Sequence, residues 1–273
     1  MISKNQIKLV RSLEKKKYRQ EEGLFVAEGP KVVGDLLACH FRPRYIYLNQ
    51  KGLTPNPSPK SLTPPPAPKS RPPSPSPKEM GVYADFADCV IDVTEEELRR
   101  LSFLQHPQQV LAVFELPAEY HSTPYSSLSL ALDGIQDPGN LGTIIRVADW
   151  YGIDTIYCSA DTADAWSPKV VQATMGSIAR VHIIYCDLQQ LLREASVPVY
   201  GTVLDGDNIY DLQLTQEGII VMGNEGNGIS EPIRQLLTHR LLIPQMRPGA
   251  ESLNVAIATA IVCSEFCRIN LKS

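Results

Sequence analysis

From residue 128 onward, short apolar runs alternate with stretches of helical period. SLSLALDG, TIYCS, VHIIYC, VYGTVL, GIIVMG and RLLIP read as strands. Between them LGTIIRVADWYG, PKVVQATMGS, DLQQLLREA and EPIRQLLT read as helices, and a last helix begins at about 252. In the first of these, Leu141, Ile144, Ile145 and Ala148 share one face, as a helix packed on a core requires. Buried strands alternating with helices predict an α/β architecture, a parallel sheet covered on both faces. The chain's beginning has a different rhythm. A helix over 3–19 is followed by a strand at GLFVAEG, a helix over 30–39 and a strand at RYIYLN, and DCVIDVT, EEELRRLSFL and QQVLAVFEL later add strand, helix and strand. No segment repeats another.

Residues 54–78 interrupt that first region. They hold half of the chain's 22 prolines and no acidic residue. Proline fixes φ and lacks an amide donor, so the segment is expected to sample extended conformations and to build no core. Folded-type sequence lies on both sides of it, which predicts an insertion inside a first domain of residues 1–116. Lengthening a loop costs only about 0.6 kcal/mol per doubling, so the fold tolerates it. Residues 117–127 form the expected linker and 128–273 the second domain.

With 273 residues, 43% of them apolar, the chain has enough material for two cores. Its longest apolar stretches fall short of the roughly 20 residues that span a bilayer, and MISKNQIKLV lacks a signal core, so a cytoplasmic protein with no membrane contact is expected. Six cysteines without a CxxC pair read as core thiols and not as a metal site. The net charge of −4 hides an asymmetry: Lys4, Lys8, Arg11, Lys15, Lys16, Lys17 and Arg19 meet only Glu14 at the start of the chain. Such a stripe is either a solvated helix face or a surface for phosphates.

Three loops carry candidate chemistry, each directly after an expected strand, where open α/β sheets place ligands. In DPGNLGTIIR, residues 137–146, Arg146 lies opposite the apolar stripe of its helix. GNEGNGIS, residues 223–230, brings three glycines that let backbone approach a ligand, the polar pair Asn224 and Glu225, and Ser230 as a helix cap. Its spacing is not the dinucleotide fingerprint, which argues against a nicotinamide enzyme. IPQMRPGAESLNVAIATAIVCSEF, residues 243–266, places Glu251, Ser252 and Asn254 before an apolar helix for which Ser252 is the expected N-cap.

In this order, NLGTIIR, GNEGNGIS and ESLNVAIA resemble the three signature motifs of the SpoU/TrmH family of SPOUT RNA 2′-O-ribose methyltransferases. The N-terminal IKLVRSLEKKKYRQEEGLFVAEGPKVV resembles the substrate-binding domain, related to ribosomal protein L30e, that often precedes them. The resemblance implies catalytic roles for Asn140, Arg146, Glu225, Ser252 and Asn254, and an S-adenosylmethionine site at Gly223, Ile243 and Leu253. It also implies a trefoil knot in the SPOUT-type sheet, a homodimer through the C-terminal domain, and structured RNA as substrate, ribosomal RNA ahead of transfer RNA and no DNA. Connection rules alone predict an ordinary doubly wound sheet, so the knot enters only through the resemblance. The rival from another class is an RNA-binding protein that kept the fold without catalysis. It predicts gaps among the five polar positions, and all five are filled.

Overall fold

The computed structural model describes residues 2–49, 83–118, 127–247, 249 and 252–270. They fall into two compact units, Met1–Leu116 and Pro117–Ser273. The proline-rich stretch 54–78, residues 119–126 of the expected linker, and Glu251 lie outside the described residues.

In the first unit the expected helix over 3–19 is two helices, α1 (Lys4–Ser12) and α2 (Lys16–Glu22). The break is held by a contact within the segment itself. Arg19 is buried and its Nη1 donates to the carbonyls of Leu13 at 2.6 Å and Glu14 at 2.7 Å, oxygens that a helix end leaves unsatisfied. Arg19 is therefore an internal cap and not part of the basic surface. Arg11 is similarly engaged, donating to the Ser102 carbonyl at 2.6 Å and lying over the Phe103 ring.

Strands β1 (Leu24–Glu28), β2 (Pro43–Leu48), β3 (Val90–Asp92) and β4 (Val110–Glu115) form a sheet of order β1-β4-β2-β3, with β4 antiparallel to both neighbours and β3 parallel to β2. Helices α3 (Pro30–Ala38) and α4 (Glu95–Leu101) complete the unit. Val10 and Leu13, Val26 and Tyr47, Leu98 and Leu111 meet in one core. Glu28 is buried at its edge, accepting from Ser102 Oγ and from the Phe103 amide at 2.8 Å; burial pushes its pKa upward, and these bonds oppose the shift.

The second unit is the expected parallel sheet. Its strands are β5 (Leu128–Asp133), β6 (Thr155–Cys158), β7 (His182–Tyr185), β8 (Val199–Asn208), β9 (Gly218–Gly223) and β10 (His239–Leu242). They lie in the order β10-β8-β9-β5-β6-β7, and every described pair is parallel. Helix α5 (Pro138–Tyr151) buries Leu141, Ile144, Ile145 and Ala148, the stripe expected from its period. It packs on α6 (Pro168–Ala173) and α9 (Val255–Asn270). Close approach to α6 requires Gly142, where a Cβ would stand 2.4 Å from that of Ala173. Helix α7 (Leu188–Arg193) lies near α8 (Glu231–Arg234), which is shorter than the expected EPIRQLLT.

The last helix starts at Val255, and its cap is Asn254 instead of Ser252. The Asn254 Oδ1 accepts from the amides of Ala256 at 3.0 Å and Ile257 at 3.3 Å. Asn is as good an N-cap as Ser, and only tertiary contacts decide where this helix begins. Val255, Ala256, Thr259, Val262, Cys263 and Phe266 are buried, whereas Ile257 on the outer face is 55% exposed.

Candidate active site

Strand β5 is the first strand of its sheet in the chain and lies between β6 and β9, so the chain leaves it in opposite directions on its two sides. A switch of this kind opens a crevice beyond the carboxyl ends of β5 and β9. The loop after β5 enters α5 through Asp137, whose Oδ1 accepts from the Asn140 amide at 2.8 Å, with Pro138 in the first turn. This cap aims Asn140 at the crevice.

The loop after β9 folds back on itself. Asn224 donates to the Gly134 carbonyl at 2.7 Å and accepts from the amides of Gly226 at 2.9 Å and Asn227 at 3.1 Å. Its backbone also pairs with Gly228 in both directions. Gly223 makes the fold-back possible: a Cβ there would stand 2.2 Å from backbone atoms of Gly228 and Ile229. The room its missing side chain leaves is taken by the loop itself. Ser230 occupies the cap position of α8 without a capping side-chain bond, while its amide donates to Asp133 Oδ2 at 2.7 Å.

These loops and the start of α9 meet in one hydrogen-bonded ladder. Asn254 Nδ2 donates to Asn140 Oδ1 at 2.9 Å, and Asn140 Nδ2 donates to Glu225 Oε1 at 2.9 Å. Only one orientation of the amides satisfies every member. The oxygen of Asn254 caps α9, so its NH2 must donate; Asn140 then accepts on that side and donates to a carboxylate that can only accept. One residue from each motif is thus fixed relative to the others.

The other expected residues stand apart from this ladder. Arg146 is exposed further along α5 and has no polar partner among the described residues. Ser252 and Leu253 are exposed just before α9, and Ile243 is half-buried just after β10. The motif residues read from the sequence do not include Asp133, Asp137 or the clamping role of Asn224. Of these, Asp137 was legible, since Asp before Pro at a helix start is a strong capping signal.

The thiols play no part in this geometry. Burial pushes Cys158 and Cys263 far above the ordinary thiol range, and burial with the nearby Asp187 pushes Cys186 up to about 11. A nucleoside cofactor is well suited to the residues around the crevice. Leu253 is 50% and Met246 93% exposed, which leaves apolar side chains open on the segment between β10 and α9.

The sheet and its ladder define a candidate ligand-binding α/β domain, which follows a smaller α/β unit along the chain. Residues 127–264 match the model of the SpoU rRNA Methylase family, and residues 4–112 match an MRM3-like substrate binding domain. The chain belongs to the SpoU rRNA methylase family, as its three motifs indicated.

It is 34% identical over 181 residues to an uncharacterized tRNA/rRNA methyltransferase of Synechocystis, covering 63% of this chain but only 65% of that protein. It is 33% identical to the 23S rRNA (guanosine(2553)-2′-O)-methyltransferase RlmP of Bacillus subtilis, over 62% of this chain and 69% of the relative. Among solved structures, a TrmH-family protein from Porphyromonas gingivalis is similar with 40% identity and a TM-score of 0.80, covering 98% of this chain and 99% of that one. An rRNA methyltransferase from Sinorhizobium meliloti, solved with AdoMet bound, is similar with 28% identity and a TM-score of 0.80 over 98% and 96% of the two chains.

Proposed function

We propose that the protein transfers a methyl group from S-adenosylmethionine to a ribose 2′-hydroxyl of ribosomal RNA in the cytoplasm. The observation that carries this reading is the ladder Glu225–Asn140–Asn254, which joins the family's three motifs at the switch point of the sheet. Bound there, S-adenosylmethionine supplies an activated sulfonium methyl. The protein's task is then to align a hydroxyl with it and to assist departure of the hydroxyl proton.

Glu225 reaches solvent and uses one carboxylate oxygen in the ladder, so its other oxygen is available to accept from the ribose. Asn140 holds that carboxylate in place, Asn254 anchors Asn140 in turn, and Ser252 is assigned to the hydroxyl by the family's third motif. Arg146 holds the phosphate beside the target ribose. A guanidinium keeps its charge throughout the working pH range and pairs with phosphate through a planar fork, which suits a clamp better than a base. Gly223, Ile243 and Leu253 hold the adenosine, chiefly through backbone.

The family's homodimer and knotted path belong to the same reading. An open groove of about 750 Å3 lies between α5 and α9, with Val147, Tyr151, Ile257, Ala260 and Ile261 in its wall. A second copy of the chain is its proposed occupant. Helix α9 also contacts β9 and the turn Ile209–Asp211, as a helix drawn back against the middle of its sheet does.

The test is a map of 2′-O-methyl sites in total RNA with and without the gene, beside labelled methyl transfer to unmodified rRNA in vitro. One ribosomal nucleotide should lose its methyl group, and Arg146→Ala should abolish transfer while calorimetric S-adenosylmethionine binding persists. Full transfer by Arg146→Ala would remove the arginine from the mechanism. Transfer at full rate by a protein sedimenting at the 30.2 kDa chain mass would remove the dimer.

A further inference from the structure

We propose that Trp150 is a stacking platform for an RNA base, placed to hold the nucleotide beside the phosphate that Arg146 grips. The inference rests on the reading of the chain as an RNA methyltransferase and adds a specificity-determining residue outside the three motifs.

Helix α5 presents three faces. One is its buried stripe, and a second, with Val147 and Tyr151, lines the groove toward α9. The third, opposite the stripe, carries Gly139, Thr143, Arg146 and Trp150 at the spacing of successive turns, all exposed; Gly139 and Thr143 also border the groove, whereas Arg146 does not. Trp150 is 76% exposed and is not among the residues lining the groove. Among the described residues neither Trp150 nor Arg146 has a hydrogen-bond, ion-pair or ring partner.

An isolated exposed apolar side chain needs no explanation by itself. This one is a large, flat ring one turn beyond an unpartnered cation, on the helix that also carries Asn140. Helical side chains lean toward the N-terminus, so the ring tilts over the turn that carries Arg146. The one-turn separation of roughly 6 Å is comparable with the span from a phosphate to a neighbouring base. A positive group for the backbone beside an aromatic face for a base is the usual combination for single-stranded nucleic acid.

The platform is also rigid. Asp149, the adjacent residue, accepts from Arg180 Nε at 3.1 Å and Nη2 at 2.8 Å, and Gly152 ends the helix in the left-handed conformation at φ 72°. Tryptophan adds only two side-chain torsions, so little conformational freedom is lost when a base stacks on it.

The test compares wild type, Trp150→Ala and Trp150→Phe in the full chain. Binding is measured to a short single-stranded RNA and to the same backbone with abasic positions, without S-adenosylmethionine. Sedimentation is measured alongside. Trp150→Ala should lose about tenfold in affinity for the RNA, the scale of one stacked base. Trp150→Phe should retain most of it, and the abasic strand should bind wild type and Trp150→Ala alike. In methyl transfer to unmodified rRNA, KM for RNA should rise while kcat changes little. Equal RNA affinity of wild type and Trp150→Ala overturns the platform. So does a lower sedimenting mass for Trp150→Ala, because the ring would then be covered by another copy. Base-dependent binding by a wild type that transfers no methyl group would overturn the proposed function and leave the platform standing. Methyl transfer without base-dependent binding would do the reverse.

Discussion

Asn140→Asp changes one donor into an acceptor at nearly constant shape, and it tests the ladder where the ladder is most specific. The Oδ1 that accepts from Asn254 is retained, while the Nδ2 that donates to Glu225 Oε1 at 2.9 Å becomes a carboxylate oxygen facing a carboxylate. The lost hydrogen bond is worth about 1 kcal/mol at an exposed position. Two unit charges about 3 Å apart repel by about 1.4 kcal/mol in water and about 5.5 kcal/mol at an effective dielectric of 20. Because the site is exposed, the lower figure applies, and the total comes to about 2–3 kcal/mol.

For a unit of this size that predicts a fall of about 5–10 °C in Tm. Asn140→Ala loses both ladder bonds but brings no charge, and should cost about 2 kcal/mol, with little dependence on salt. The charged part of the penalty has a definite sign with pH. In the folded Asp variant, repulsion raises the pKa of one of the paired carboxylates above its unfolded value. The folded state then holds its proton up to a higher pH than the unfolded state does. The penalty is full above the raised folded pKa and fades as pH falls toward the unfolded value near 4. Thermal melts of both variants at neutral and acid pH, in low and high salt, check this, with methyl transfer as a second readout. If acid and high salt leave the Asp melt unchanged relative to the Ala melt, the ladder is not the contact described.

Two further outcomes follow from the packing and the caps. Gly142→Ala should cost about 1–3 kcal/mol by overpacking, since the new Cβ would lie 2.4 Å from that of Ala173; adding Ala173→Gly should restore most of the loss in a denaturant titration. In the first unit Glu97 caps α4, and its pKa is held below the ordinary value, first by the Thr94 amide at 3.0 Å and then by the Ile2 amide at 3.0 Å. Its contribution is present above the unfolded pKa and lost as pH falls through the lowered folded value, so the acid limb of a pH–Tm curve should flatten in Glu97→Gln.

The positions of the strands and most helices were legible along the chain because their signals are local. Period two or a short apolar run marks a strand, period 3.6 marks α5, and Asp137-Pro138 marks its start. The site's ingredients were legible as well, since three polar loops after three strands must share one end of a parallel sheet. What the chain could not disclose by itself depends on which distant segments become neighbours. The cap of α9 is Asn254, whose amide is also engaged by Asn140, 114 residues earlier in the chain. Gly223 is required by the backbone of Gly228 and Ile229, a contact that exists only once the loop has closed. Asn140 faces Glu225, 85 residues away, only because β5 and β9 lie side by side. Periodicity and caps are set by residues within a turn or two of one another, whereas the pairings of Asn140 with Asn254 and Glu225 are set by strand order, and strand order is a property of the whole packed sheet.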